Sequence, residues 1–158
     1  MLKMTIQSNE IELRPASIDE IISLREEVII RGTNRDSPYF DGDRDETTRH
    51  FGAFIGTKPI GCLSFMRKEW EGTPAWQLRG MATAPDYRGS GVGKILLQLA
   101  EEAVMEESGI RLLWCNARAA AAGFYEKQGW KIVSDEFLIP GVGPHYKMLK
   151  DLRSMFFD

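Results

Sequence analysis

One stretch decides the fold: Thr83-Ala84-Pro85-Asp86-Tyr87-Arg88-Gly89-Ser90-Gly91-Val92-Gly93-Lys94. It follows a segment with strand character, turns at Pro85, and places three alternating glycines at the start of a predicted helix. Glycine lets the backbone adopt left-handed dihedrals and approach a ligand closely. The first N–H groups of a helix have no partner inside the helix and lie at the positive end of its dipole. The stretch therefore predicts a cradle for a phosphate-type anion.

The spacing of these glycines excludes two well-known phosphate loops. A P-loop would need glycine at Arg88 and a hydroxyl residue at Ile95. The dinucleotide fingerprint Gly-x-Gly-x-x-Gly would need glycine at Lys94. The pattern Arg-x-x-Gly-x-Gly does fit, with Arg88, Gly91 and Gly93. On this pattern alone, a glycine-rich turn that only caps a helix stays open as the alternative.

The composition, 43% hydrophobic and 27% charged over 158 residues, predicts one globular domain covering residues 1–158. A net charge of −3 does not favour nucleic acid or an anionic membrane as partner. No apolar run approaches the ~20 residues that cross a bilayer, and no export signal is visible, so we expect a cytoplasmic protein. Cys62 and Cys115 lie in apolar runs without metal-ligand spacing. We expect them to be buried and reduced, with no metal bound.

Periodicity around the glycine stretch alternates between strand and helix, which indicates one mixed α/β domain. Ser17 and Glu20 form a capping box that begins a helix ending near Arg31. Two further helices are predicted, over residues 92–108 and 118–128. Strands are predicted over residues 11–14, 50–55, 60–66, 75–84, 112–115, 131–139 and 145–149. Residues 34–49 are predicted to be a long polar connection.

The glycine stretch and its surroundings resemble the GNAT superfamily of N-acetyltransferases. Arg88, Gly91 and Gly93 stand where that family has its pyrophosphate-binding signature, and the strand with its proline before them matches as well. The later run Phe124-Tyr125-Glu126-Lys127-Gln128-Gly129-Trp130 resembles the family's second landmark. The match covers residues 76 to about 149, roughly half the chain. Residues 143–148 and 45–54 also resemble the ElaA-like branch.

This resemblance implies the GNAT fold: a central mixed, mostly antiparallel sheet of about six to seven strands flanked by about four helices. It implies an N-acetyltransferase that uses acetyl-CoA as cosubstrate and acetylates a primary amine by direct attack. Tyr125 would protonate the departing thiolate. The implied cofactor-binding residues are Met81, Ala82, Thr83, Arg88, Gly89, Ser90, Gly91, Val92, Gly93, Lys94, Asn116, Phe124 and Lys127.

The chain departs from the family at two positions. Arg118 stands where many members have a pantetheine-binding Asn, and Asn116 or the strand-end backbone would replace it. Asn116 could equally be a turn residue that caps the next helix. Gln77 stands where some members have a basic Glu, and an amide cannot act as a base.

The base must therefore come from elsewhere, and His145, His50, Glu69 or a relay of waters are the candidates. We assign His145 first, because histidine titrates near pH ~6.5. A histidine on a strand is more often a structural hydrogen-bonding residue, and this alternative stays open.

The sequence leaves the acceptor amine and the activity itself open. Protein lysines, polyamines and antibiotic-like amines all remain candidates. The acidic run 41–46 lacks the glycine and glutamate positions of a calcium loop, so we interpret it as a solvated loop that could attract a cationic amine. A silent CoA-binding sensor is the alternative function, and a nucleotide-binding domain of another fold is a weaker one. The tail Met155-Phe156-Phe157 could dock on the domain, join two copies as a homodimer, or stay disordered.

Overall fold

The computed structural model describes residues 1–154, which build a sheet of nine strands. They are β1 (Leu2–Ile6), β2 (Asn9–Ala16), β3 (Arg49–Ile55), β4 (Lys58–Arg67), β5 (Trp76–Thr83), β6 (Leu112–Arg118), β7 (Lys131–Ile132), β8 (Phe137–Ile139) and β9 (Gly143–Asp151). Their order in the sheet is β1-β2-β3-β4-β5-β6-β9-β7, and β8 pairs with β9. The predicted docking tail, Met155-Phe156-Phe157, lies outside the described residues.

The sheet is mixed, as predicted, with more strands than the expected six to seven. Among the described strands, β5 and β6 run parallel and the other pairs run antiparallel. The excess has two sources. β1 carries no strong strand signal, and the single strand predicted over residues 131–139 is divided into β7 and β8.

Three α-helices lie within residues 1–154, fewer than the four expected: α1 (Ile18–Arg25), α2 (Val92–Ser108) and α3 (Ala122–Lys127). The capping box at the start of α1 is confirmed, because Ser17 accepts from the Glu20 N–H and Glu20 accepts from the Ser17 N–H. Beyond Arg25 the chain continues as a π-helical turn, Glu26–Ile30.

The helix predicted over residues 118–128 is shorter than expected. β6 continues to Arg118 and pairs with His145 of β9 there. A 3₁₀ turn, Ala119–Ala121, then leads into α3. Pairing across the sheet therefore overrides the local helix propensity of the alanine run.

The two longer helices cover opposite faces of the sheet. Along β4, Leu63 and Phe65 belong to the cluster that packs under α2, while Cys62 belongs to the cluster under α1. This alternation is the period-two pattern of a strand buried on both faces. Every helix described in residues 1–154 is too short or too polar to span a bilayer.

Candidate active site

A cleft opens where β5 and β6 separate. The two strands pair only at Trp76, Gln77 and Leu78 of β5. Just beyond, Gly80 has a left-handed φ of +64°, and the β4–β5 register shifts by one residue. Such a bulge bends its strand and increases the twist. β5 therefore leaves β6, and a cavity of about 590 Å³ lies between them.

Eight of the predicted site residues line this cleft: Met81, Ala82, Thr83, Arg88, Asn116, Phe124, Tyr125 and His145. They come from β5, β6, α3, β9 and the turn before α2. Residues spread over more than 60 positions of sequence therefore meet at one opening. Lys127 lies at the exposed end of α3 and does not line the cleft, so its role in binding stays a prediction.

Residues 88–94, the glycine cradle, form the turn and the first residues of α2. Gly89 and Gly91 have φ of +77° and +91°, a conformation that glycine adopts at little cost. Within residues 1–154, no side chain caps the helix at Gly91, and its first turn holds no acid. The Val92 N–H donates to Ser90 Oγ at 3.4 Å, whereas within residues 1–154 the N–H groups of Gly93 and Lys94 have no side-chain partner of the kind that often caps a helix.

Gly93 connects the glycine cradle to the cleft. A Cβ at this position would lie 3.3 Å from Thr83 Oγ1 and 3.7 Å from the ring of Phe124. A side chain here would therefore press on Thr83, and glycine lets α2 approach β5 and α3 without that contact. The neighbouring Val92 side chain is buried in the core, so only its backbone can serve a ligand. Lys94 and Arg88 are exposed beside the cradle.

Tyr125 lies at the floor of the cleft with only 8% of its surface exposed. Its ring packs against Phe124 and Trp130, at centroid distances of 5.3 and 5.8 Å. Burial raises the pKa of the phenol well above its ordinary value, and the nearby Cys115 adds to this. The phenol therefore keeps its proton at neutral pH and is available only as a proton donor.

His145 is 5% exposed and lines the opposite wall of the cleft, on β9. Its Nδ1 lies 2.7 Å from the carbonyl oxygen of Gly143. A carbonyl can only accept, so Nδ1 carries the hydrogen and the lone pair of the neutral ring is on Nε2. The contact sets the tautomer that a general base requires.

The two other candidates for the base do not line the cleft. His50 lies in a buried network, with Nε2 2.8 Å from the Asp43 carbonyl and Nδ1 2.6 Å from Ser64 Oγ. Burial lowers its pKa below the ordinary value. Glu69 is exposed near the end of β4. His50 is thus a structural hydrogen-bonding residue.

Both cysteines are buried, as predicted, and neither forms a disulfide. Burial raises the pKa of Cys62 and of Cys115 to about 12. Cys115 lines the cleft, but its thiol stays protonated at neutral pH. A thiolate nucleophile is therefore not available here.

The side-chain oxygens of Asn116 and Gln77 differ in their hydrogen bonding. Asn116 lies within β6, not at a turn, and its Oδ1 accepts from Lys147 Nζ at 3.0 Å. The side-chain oxygen of Gln77 is buried and has no hydrogen-bond partner among residues 1–154. Gln77 also lines the cleft, and a buried amide of this kind favours a polar ligand nearby.

Four further residues that line the cleft were not predicted as site residues: Arg35, Phe40, Arg79 and Arg118. Arg35 and Phe40 come from the loop between α1 and β3, and Arg79 comes from β5. Arg118 ends β6 and donates to the Ile29 carbonyl at 2.7 Å. We call the region of Arg35, Arg79 and Arg118 the arginine end. Its residues follow no local pattern, and the aromatic pair Tyr39-Phe40 in a polar loop was the one available signal.

The interpretation of residues 41–46 as a solvated acidic loop is confirmed for the exposed Asp41, Asp45 and Glu46 and is wrong for Asp43, and none of these acids lines the cleft where it could attract a cationic amine. Asp43 is only 6% exposed and forms a two-bond ion pair with the fully buried Arg25, at 2.7 and 3.2 Å. Its carboxylate is thereby neutralised inside the protein. Among the described residues, no aspartate or glutamate lines the cleft.

Comparison with known proteins shows which family and which fold the chain matches. The Acetyltransferase (GNAT) family matches residues 17–130. The uncharacterized N-acetyltransferase YitI of Bacillus subtilis strain 168 is 33% identical over 91% of this chain and 98% of its own. The structure of Escherichia coli ElaA superposes with a TM-score of 0.76 at 19% identity, over 89% of this chain and 99% of ElaA.

A further structure with the same fold has been solved with coenzyme A. An aminoglycoside 6'-N-acetyltransferase complexed with coenzyme A has a TM-score of 0.67 at 15% identity, over 89% of this chain and 97% of that one. The fold thus occurs with coenzyme A bound. Within residues 1–154, no group of three or more His, Cys, Asp or Glu side chains could hold a metal ion.

Proposed function

The chain belongs to the GNAT family of acetyltransferases, which transfer an acyl group from coenzyme A to an amine, and we propose that it is an acetyl-CoA-dependent N-acetyltransferase. In this proposal residues 1–158 act as one domain on a primary amine. The observation that carries it is that the glycine cradle adjoins, through Arg88 and Gly93, the cleft that holds the protonated phenol of Tyr125.

The glycine cradle suits the pyrophosphate of acetyl-CoA. Gly89 and Gly91 take the left-handed turn, Gly91 supplies no side-chain cap, and the first turn of α2 holds no acid. Arg88 adds a cation at the mouth of the cleft. Backbone donors, a helix dipole and a guanidinium are the usual combination for binding phosphate oxygens.

The open edge of β5 suits the pantetheine arm and the thioester. Past Leu78, β6 no longer pairs with β5, so backbone groups of Met81, Ala82 and Thr83 on that side face the cleft. In our proposal they hydrogen-bond the pantetheine, and one N–H polarises the thioester carbonyl and stabilises the oxyanion that develops there. Asn116 and Phe124 line the opposite wall.

Tyr125 and His145 divide the proton transfers in our mechanism. His145 Nε2 accepts one proton from the attacking amine, and Tyr125 donates its own to the departing sulphur. A C–N bond forms and the C–S bond breaks, which yields the N-acetylated amine and free coenzyme A. Solvent then carries the proton gained by His145 back to Tyr125, which restores both residues. A thiolate that forms in the same apolar site also has a raised pKa, so the buried phenol can still protonate it.

Attack by the amine is direct in this mechanism, with no acyl-enzyme. The thiol of Cys115, with its pKa of about 12, is too weakly acidic to serve as nucleophile. Gln77 cannot accept the proton. His145 is the remaining titratable base in the lining of the cleft described in residues 1–154.

The test is release of free coenzyme A from acetyl-CoA in the presence of a broad panel of primary amines, with product identified by mass spectrometry. We expect amine-dependent release and an acetylated amine in equal amounts. Coenzyme A binding by calorimetry without release for any amine would instead indicate a silent CoA-binding module. The experiment therefore separates the proposal from its main competitor.

A further inference from the structure

Positive charge in the cleft is concentrated at the arginine end, and no acid lines the cleft beside it among the described residues. Arg35, Arg79 and Arg118 line the cavity, and no described aspartate or glutamate does so. Within residues 1–154, none of the three takes part in a salt bridge. This is unusual in a chain whose net charge is −3.

Packing and hydrogen bonds hold these cations in place. The guanidinium groups of Arg35 and Arg79 lie 5.1 and 4.7 Å from the ring centroid of Phe40. Arg79 donates to the Asp41 carbonyl at 3.2 Å, and Arg118 donates to the Ile29 carbonyl at 2.7 Å. Each of these bonds uses one of the several guanidinium donors, so others remain for a ligand.

Arg35 is also close enough to act electrostatically on both Arg79 and Arg118. Burial, followed by repulsion from Arg35, lowers the pKa of Arg118. Burial is likewise the main cause that lowers the pKa of Arg79; Asp43 opposes it, and Arg25 and Arg35 add to it. Unpaired cations held together in a concave, partly buried site favour an anionic ligand.

We propose that the acceptor amine carries a carboxylate, and that Arg35, Arg79 and Arg118 bind this group. The inference rests on the proposed acetyl transfer and names the class of its acceptor: an amino-acid-like amine. Polycationic amines are disfavoured, because they add charge to a site that holds three unpaired guanidinium groups.

The position of the arginine end supports a substrate anion over the phosphates of coenzyme A. Arg79 precedes Thr83 by four residues on β5, which corresponds to about 13 Å along a strand. Thr83 is the residue that adjoins the glycine cradle, through Gly93. The arginine end is therefore separated from the cradle by the stretch of β5 that we assign to the pantetheine and thioester.

A positive site also assists the chemistry. Guanidinium groups near the acceptor disfavour its ammonium form and so lower the pKa of the amine. More of the amine is then neutral and nucleophilic at neutral pH, while the carboxylate keeps the substrate bound. The arginines are thus positioning and specificity residues, distinct from the proton transfers of Tyr125 and His145.

The experiment compares amines that differ only in the anionic group. L-phenylalanine is paired with phenethylamine, L-lysine with cadaverine, and O-phosphoethanolamine with ethanolamine, and kcat/KM for acetylation by the full chain is measured. Charge-assisted hydrogen bonds of about 1.5–3 kcal/mol correspond to a preference of about 10- to 100-fold. We expect that preference for the carboxylated members.

Two variants test whether the arginine end produces the preference for carboxylated amines. Arg35→Gln should reduce it by about tenfold without changing the KM for acetyl-CoA. Arg44→Gln is the matched control, because Arg44 lies in the same loop, is exposed and pairs with Asp19 outside the cleft. We expect it to leave the preference unchanged, and an equal effect of both variants would contradict the assignment.

The other outcomes overturn the inference in distinguishable ways. Equal or faster acetylation of the partners that lack the anionic group would overturn the assignment of a carboxylate and leave the transfer reaction intact. A preference for O-phosphoethanolamine over the amino acids would assign the site to a phosphate. A raised KM for acetyl-CoA in Arg35→Gln, with unchanged amine preference, would assign the arginines to the cosubstrate. Failure to acetylate any amine, with coenzyme A bound, would contradict the proposed function itself and the inference with it.

Discussion

The two ends of the cleft are built in different ways. The glycine cradle comes from seven consecutive residues, 88–94, and its shape depends on left-handed glycines. The arginine end comes from a loop, the middle of β5 and the last residue of β6. A site of backbone groups can be recognised from local spacing, whereas a site of side chains brought together by the fold cannot.

The two ends also differ in what holds them. The cradle is fixed by backbone dihedrals and the start of α2. The loop of the arginine end is held by the buried pair of Arg25 and Asp43, with Asp43 also accepting from the Phe40 N–H at 2.6 Å. His50 Nε2 donates to the Asp43 carbonyl at 2.8 Å. Charge and protonation therefore affect the arginine end, and backbone substitutions affect the cradle.

The largest expected effect is on the glycine cradle. Gly91→Asp puts a side chain at φ +91° and a negative charge beside the proposed pyrophosphate site. We expect the Kd for coenzyme A, measured by calorimetry, to rise by about 100-fold or more, since the added charge and bulk beside the ligand cost about 3 kcal/mol of binding.

Gly109→Asp is the matched control for this change. Gly109 ends the same helix, also has a left-handed φ, +73°, and also has open space around it. It costs similar backbone strain but lies at the opposite end of α2. Equal losses in both variants, or unchanged affinity in Gly91→Asp, would contradict the cradle.

The next effect is on the proton donor between the two ends. Tyr125→Phe keeps the ring contacts with Phe124 and Trp130 and removes the phenolic proton. General acids contribute about 100-fold or more, and water can replace part of this, so we expect kcat to fall at least about tenfold. The KM for acetyl-CoA should change little.

Tyr146→Phe serves as the control, because the Tyr146 hydroxyl bonds to exposed Glu136 and Tyr146 does not line the cleft. The comparison requires chemistry to be rate-limiting, which a burst-phase measurement establishes. A kcat for Tyr125→Phe within about twofold of wild type would make Tyr125 a packing residue.

A smaller effect is expected on the stability of the loop that carries Arg35, and it depends on pH through His50. Burial lowers the pKa of His50, so the unfolded chain takes up a proton near pH 6.5 that the folded chain does not. The contribution of His50 to the free energy of unfolding is therefore present above that pH and is lost as the pH falls below it.

His50→Gln should thus be less stable than wild type at pH 7.5, and the gap should narrow by about 1 kcal/mol at pH 5.5. Urea unfolding at the two pH values measures this. A gap that stays constant or widens would show that His50 does not titrate with a lowered pKa.

The smallest effect is expected for the thiols. With a pKa of about 12, each cysteine is almost wholly protonated at pH 8. Replacing Cys62 and Cys115 together with alanine should change kcat by less than about twofold, with some loss of stability from the removed volume. Abolished turnover in a double variant that is folded by circular dichroism would contradict direct attack.

Much of the fold follows from the sequence, because strong local signals and the glycine stretch agree. The capping box at Ser17 and the helix that begins at Val92 are confirmed. β1 was missed because its hairpin turns at Gln7 and Ser8, both with positive φ. Neither is the Asn-Gly or Asp-Gly pair that marks such a turn in a sequence.

The rest of the site depends on pairings between distant segments. Arg118 was predicted to lie in a helix because alanines follow it, but pairing with His145 keeps it in β6. Asp43 was predicted to be solvated because its neighbours are charged, but Arg25 lies 18 residues earlier and buries it. No local pattern encodes either contact.

A crystal structure of the chain with acetyl-CoA tests the central claim most directly, because it shows which end of the cleft holds the pyrophosphate. The account predicts pyrophosphate oxygens about 3 Å from backbone N–H groups of residues 89–94 and the thioester sulphur within hydrogen-bonding reach, about 3.5 Å, of the Tyr125 hydroxyl. A pyrophosphate bound instead by Arg35, Arg79 and Arg118, with the glycine cradle empty, would contradict it.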